Sequence, residues 1–114
     1  MQRGEVWLLN LSPTVGAEIQ KTRPALIVND DDVGILPLKV IVPITDWNER
    51  YAQALWLVRL DPSPENGLVK VSTADAFQVR SVSEQRFIRR LGLLPLEVMA
   101  QIEDALKAVL KLGQ

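Results

Sequence analysis

Residues Glu5 to Leu11 read EVWLLNL, a short apolar run that stops at Ser12-Pro13-Thr14-Val15-Gly16, the residue types of a strand entering a loop. Four further runs repeat this pattern. Ala25 to Val28 starts after Pro24 and ends at Asn29-Asp30-Asp31-Asp32. Leu38 to Thr45 (LKVIVPIT) follows, then Leu55 to Leu60 (LWLVRL), which is closed by Asp61-Pro62-Ser63-Pro64-Glu65-Asn66-Gly67. The fifth runs from Leu68 into Val79. Short strands with no helix-length segment between them predict an antiparallel barrel or sandwich. Pro43 cannot donate to a ladder, so the third strand is expected to be an edge strand or to be bulged there.

The last segment has a different period. Leu96, Met99, Ile102, Leu106, Val109 and Leu110 recur at three- and four-residue steps, with Glu103 and Lys107 paired on the outer face. This predicts an amphipathic helix with Pro95 in its first turn and a stop at Gly113. Its apolar stripe is expected to cover the barrel or a dimer seam. Residues 1–114 form one domain, mainly β with a C-terminal helix, with no internal repeat or linker.

A chain of 114 residues with 47% apolar and 24% charged side chains can bury roughly two-thirds of its unfolded surface in one core. No run reaches the ~18 apolar residues of a membrane span, and Met1-Gln2-Arg3-Gly4-Glu5 lacks the apolar stretch of a secretion signal, so a cytoplasmic location is expected. The chain has neither Cys nor His. That excludes disulfides, thiolate nucleophiles, thiolate or imidazole zinc sites and histidine triads. Chemistry must come from carboxylates, Lys, Arg, hydroxyls, amides and backbone, or from a nucleophile carried by the substrate.

The net charge of −1 is unevenly spread: residues 1–69 carry −3, 70–90 carry +3 and 91–114 carry −1. Polyanion binding would therefore rest on a local cluster around Lys70, Arg80, Arg86, Arg89 and Arg90, which can equally be a solvated face. Asp30-Asp31-Asp32 lacks the spaced ligands of a calcium loop and reads as a solvated turn.

Three stretches resemble the MazF/PemK family of toxin endoribonucleases: Arg3-Gly4-Glu5-Val6-Trp7-Leu8, the segment Leu11-Ser12-Pro13-Thr14-Val15-Gly16-Ala17-Glu18, and Lys21-Thr22-Arg23-Pro24-Ala25-Leu26-Ile27-Val28. Val42-Pro43-Ile44-Thr45 and, more loosely, Gln78-Val79-Arg80-Ser81 extend the likeness across the chain. The resemblance implies a small SH3-like barrel of the CcdB/PemK type and a homodimer. It further implies metal-independent, cofactor-free cleavage of single-stranded RNA, inhibition by a cognate antitoxin, and DNA binding only within the toxin–antitoxin complex.

RNA carries its own nucleophile, the 2′-hydroxyl, so the missing His and Cys cease to be an obstacle. Arg23 matches the arginine of the family's Arg-Pro motif, and its planar fork suits two phosphate oxygens. Thr45 matches the threonine after the third strand, where its hydroxyl can donate to a phosphate. Glu18 is the nearest carboxylate in sequence and is expected to orient the guanidinium or to accept the 2′-hydroxyl proton. Without the resemblance, Arg23 and Glu18 read as a structural ion pair and Thr45 as an ordinary strand-end residue. Gln20 and Lys21 would contact base and backbone, Gln78 and Arg80 would line the groove, and Trp47 would stack on a base or pack beside the strand end. Some family members place an arginine and an aspartate just before the Gln78 position as acid and base. Here those places hold Asp75 and Phe77, so that version of the mechanism is not expected.

Two other readings use the same barrel. CcdB relatives bind gyrase through aromatic and terminal residues of the last helix, whereas this sequence ends Lys111-Leu112-Gly113-Gln114. A non-catalytic barrel would bind only an antitoxin, DNA or a protein partner, and the acidic balance disfavours DNA on its own.

Overall fold

The computed structural model describes residues 1–19 and 21–113. Seven strands form one antiparallel sheet: β1 (Glu5–Asn10), β2 (Thr22–Ile27), β3 (Leu38–Asp46), β4 (Leu57–Leu60), β5 (Ser72–Asp75), β6 (Arg80–Ser83) and β7 (Phe87–Leu93). Helix α1 (Leu96–Leu110) ends the fold. The strand order is β4-β5-β3-β2-β1-β7, with β6 also on β3. The mainly β class with a C-terminal helix is as the sequence predicts.

The central strands are apolar on both faces because both are covered. Leu26, Val42 and Ile44 face one core with Val6, Leu94 and the helix residues Met99, Ile102 and Ala105. Ala25, Ile27 and Ile41 face a second core with Leu9, Leu11 and Val82, roofed by Trp7, Ile19 and Phe87. The second core lies under the loop joining β1 to β2, and that loop carries Glu18.

The third strand is not an edge strand. It has β2 on one side (Ala25↔Pro43, Leu26↔Val42, Ile27↔Ile41), while its other side pairs β6 up to Ile41 and β5 from Ile44. Pro43 stands where the partner changes, an irregularity at which a residue without an N–H is tolerated. The predicted fifth strand shrinks to β5 followed by a 3₁₀ turn, Ala76–Gln78. The sequence reading missed β6 and β7.

Helix α1 buries Met99, Ile102 and Ala105, leaving Leu96 85% exposed and Leu110 also outside. Pro95 precedes the helix as its N-cap, and Lys111 takes the left-handed C-terminal position expected of Gly113 (φ 57°), its N–H reaching the Lys107 carbonyl. Glu103 pairs with Arg3 at 2.5 Å instead of with Lys107, tying the helix to the residues before β1. Arg3 also donates to the Val28 carbonyl.

A close backbone approach fixes β7. A Cβ on Gly92 would stand 2.2 Å from the Glu65 carbonyl oxygen, and one on Gly67 (φ +69°) would stand 2.1 Å from that of Leu91. The Leu93 N–H donates to Glu65 O at 2.8 Å across this seam.

Candidate active site

Arg23 lies on β2 opposite Leu9 of β1. The β2/β3 register, continued two residues past Ala25↔Pro43, sets Arg23 level with Thr45 on the same sheet face, since side chains repeat their side every second residue. Arg23 is half-buried. Its Nε is fully enclosed and has no hydrogen-bond partner, and its guanidinium makes no ion pair among the described residues. The expected pair with Glu18 is not formed: a Glu18 carboxylate oxygen instead accepts the Val15 N–H of its own loop at 2.6 Å.

Two grooves open beside this stretch of β3. The first, about 500 Å³, is floored by Pro43 and bounded by Glu18, Phe77, Gln78 and Arg80. The second, about 590 Å³, holds Thr45 together with Arg50, Tyr51, Trp56, Thr73 and Asp75. Pro43 and Thr45 share a face of β3, so the grooves adjoin. Among the sequence-predicted residues, Glu18, Gln78 and Arg80 thus gather at one groove and Thr45 at the other, with Arg23 in the row level with Thr45.

Next to Thr45, the Asp46 carboxylate meets Lys70 Nζ at 2.7 Å. Lys70, as hydrogen-bond donor and as charge, holds Asp46 below the usual carboxylate range, and the Arg23 charge adds to this. The buried Thr73 hydroxyl donates to Asp46 O at 2.9 Å.

Lys21 is exposed and left-handed (φ 71°), with its N–H on Ser12 Oγ at 2.9 Å. Gln20 lies outside the described residues. Trp47 is already engaged: Arg59 sits 5.6 Å over its ring, Tyr51 stands edge-on at 6.0 Å, and its indole N–H donates to Glu49. The basic cluster is dispersed. Arg86 holds the carbonyls of Asn10 and Ser12, Arg90 binds Glu5 and Lys70 binds Asp46, while Arg89 stands exposed on β7 and Arg80 lines the groove. The acidic triplet turns inward on the backbone, with Asp31 accepting from Arg3 N and Asp30 from Asp32 N.

The sequence reading missed two site residues. Asp75, partly buried, caps the 3₁₀ turn by accepting Phe77 N at 3.0 Å. Burial pushes its carboxyl above the ordinary value against hydrogen bonds from Phe77 and Gln78. Phe77, 72% exposed, stands at the lip of the first groove. An Asp two residues before an aromatic is a capping signal, yet inside an apparent strand it carries little weight.

The PemK-like, MazF-like toxin family of type II toxin–antitoxin systems matches residues 2–110. The chain belongs to that family. It is similar to endoribonuclease MazF9 of Mycobacterium tuberculosis, 30% identical over 118 residues that cover 98% of each chain. Among solved structures, MazF of Deinococcus radiodurans aligns with a TM-score of 0.79 at 24% identity, covering 98% of this chain and 97% of the other. A mycobacterial endoribonuclease solved in complex with its cognate antitoxin aligns with a TM-score of 0.75 at 20% identity, covering 100% and 98%. Both structural likenesses establish the antiparallel fold.

Proposed function

We propose that this toxin is an endoribonuclease that cuts single-stranded RNA at the Arg23–Thr45 row without a metal ion. One observation carries the reading: an arginine half-buried on the sheet face of Thr45, with an enclosed Nε that has no hydrogen-bond partner among the described residues. Enclosed polar groups are nearly always paired, so an arginine whose guanidinium makes no ion pair among the described residues is suited to an anionic ligand, and a phosphodiester fits it. Names of relatives such as MazF9 point to the same activity.

In this mechanism the ribose 2′-oxygen attacks phosphorus, forming a 2′,3′-cyclic phosphate as the bond to the 5′-oxygen breaks. Arg23 and the Thr45 hydroxyl meet the negative charge gathering on the phosphoryl oxygens. Arginine holds its proton too firmly to act as the base. The 2′-hydroxyl proton passes to the Glu18 carboxylate, which has an oxygen not bonded to Val15, and the departing oxygen takes a proton from solvent. Lys21 and Arg80 hold the backbone, with Gln20 reading the neighbouring base and Gln78 shaping the groove wall beside it. Because Arg59 already covers one face of Trp47, stacking is assigned first to Phe77 and Trp56.

The protein acts as a two-fold homodimer in the cytoplasm, neutralised by its cognate antitoxin, and meets DNA only with that antitoxin bound. Among the described residues, no helix is long and apolar enough to cross a membrane. The exposed side chains Val33, Ile35 and Leu36 between β2 and β3 offer apolar surface for such contacts.

The test is incubation of the purified protein with a long RNA in EDTA. Discrete cuts ending in cyclic phosphate are expected, with Arg23→Ala slower by about 10²–10³-fold while keeping its circular dichroism. Absence of cuts, or equal cutting by the variant, ends this assignment. Capture of gyrase in place of cleavage would favour the CcdB-like reading.

A further inference from the structure

The loop joining β1 to β2 arches over the second core, and its later half carries Glu18 and Ile19, the latter packed on that core. Near its two ends it is anchored by Lys21 N to Ser12 Oγ and by Leu11 N to Lys21 O, and its middle closes on itself through Val15 and Glu18. Beyond the apolar packing of Ile19, a polar link ties the Glu18 region to the 3₁₀ turn after β5: the Ile19 N–H donates to Gln78 Oε1 at 2.7 Å. The same amide donates through Nε2 to Asp75 Oδ2 at 3.2 Å, while Asp75 Oδ1 accepts Phe77 N. Donor and acceptor of the Gln78 amide are therefore both in use before any substrate arrives.

We infer that Gln78 is a positioning residue: its amide, oriented by Asp75, clamps the Glu18-bearing loop to the 3₁₀ turn and so sets the width of the groove bounded by Glu18 and Arg80. This rests on the ribonuclease reading for its catalytic consequence but not for its geometry. Asp75, placed in the second groove, and Gln78, in the first, make the clamp the wall between them.

Reversing the polarity of the pair tests the clamp. In Gln78→Glu two carboxylates face each other. In Asp75→Asn two amide N–H groups meet, or the amide turns and abandons Ile19. In the double variant Asp75→Asn/Gln78→Glu every bond can re-form: the new amide at position 75 donates to the new carboxylate at position 78, that carboxylate accepts Ile19 N, and the cap on Phe77 stays intact. Each single variant of the full chain is expected to speed exchange of the Ile19 amide hydrogen by about tenfold and to lower kcat for a short RNA by a similar factor, with KM moving less. The double variant is expected to return both to near wild-type values.

A double variant as impaired as Gln78→Glu, or an Ile19 exchange rate indifferent to every substitution, overturns the clamp. A loss confined to KM that the double variant does not recover also overturns it, because that is the signature of a base-reading amide. Exchange is measured without RNA, so a wild-type protein that fails to cut RNA would remove the ribonuclease reading while exchange still decides the clamp. Both substitutions nearly preserve side-chain volume, and Gln78→Glu keeps an acceptor for Ile19, which a truncation such as Gln78→Ala would remove.

Discussion

Enclosing the Nε of Arg23 without a partner costs about 1–3 kcal/mol. Arg23→Met, similar in reach and free of that group, is therefore expected to melt at the same temperature as the wild type or higher while losing cleavage. Thermal denaturation beside an RNA assay checks the opposite signs. Arg23→Lys keeps the charge but not the fork, and is expected to recover little activity. Glu5 is the stabilising counterpart. Burial would raise its carboxyl, but hydrogen bonds from Trp7, Gln2 and Arg90 and the N-terminal charge outweigh this and bring it from 4.5 to about 2. A lowered carboxyl stabilises the folded state fully above 4.5, and that stability drains away as the pH falls toward 2. Glu5→Gln should thus melt lower at neutral pH, with the gap to wild type closing across that window in a pH series of melts. Arg23 and Thr45 could be singled out as candidates because they sit in recognisable neighbourhoods of sequence. The engagement of Gln78 and Trp47 was not, since both depend on partners from turns whose placement no periodicity encodes.

Among the elements, β1, β3 and α1 could be read from apolar period alone. The β6 strand, Arg-Ser-Val-Ser, is too short and polar to announce itself, and β7 interrupts its apolar residues with Arg89, Arg90 and Gly92. Pairing with Glu5 to Leu9 of β1 makes that sequence a strand. The helix stripe is rotated from its expected position because Ala105 allows a close approach while Leu96 overhangs the end. Ile102, fully buried, is expected to cost about 2–5 kcal/mol on truncation to Ala, whereas Leu96→Ala should change chemical-denaturation midpoints little. Gly92→Ala forces backbone against backbone at the Glu65 seam and is expected to be among the most destabilising single-methyl additions in the chain, read as lost soluble yield or a much lower melting point.

For the whole molecule, the formal charge of −1 supplies no general attraction for RNA, so the salt dependence of binding should be shallow, with a slope set by the few cations at the grooves. Titrating affinity against salt for a single-stranded oligonucleotide tests this, and Arg80→Ala should flatten the slope further. Light scattering should give twice the 12.8 kDa chain if the homodimer holds, with Ile35→Asp reducing it toward one copy.

The first strand has its outer neighbour in residues 87–93, and Arg3 is held by Glu103, 100 positions later. A chain still emerging from the ribosome therefore carries Arg23 and Thr45 long before the sheet that aligns them can be completed. Such distant pairings form late and slowly. With the proposed Arg23–Thr45 site, a catalyst dangerous to its maker would thereby stay inert through most of its own synthesis, and fragments released early by premature termination are expected to leave the RNA that encoded them uncut.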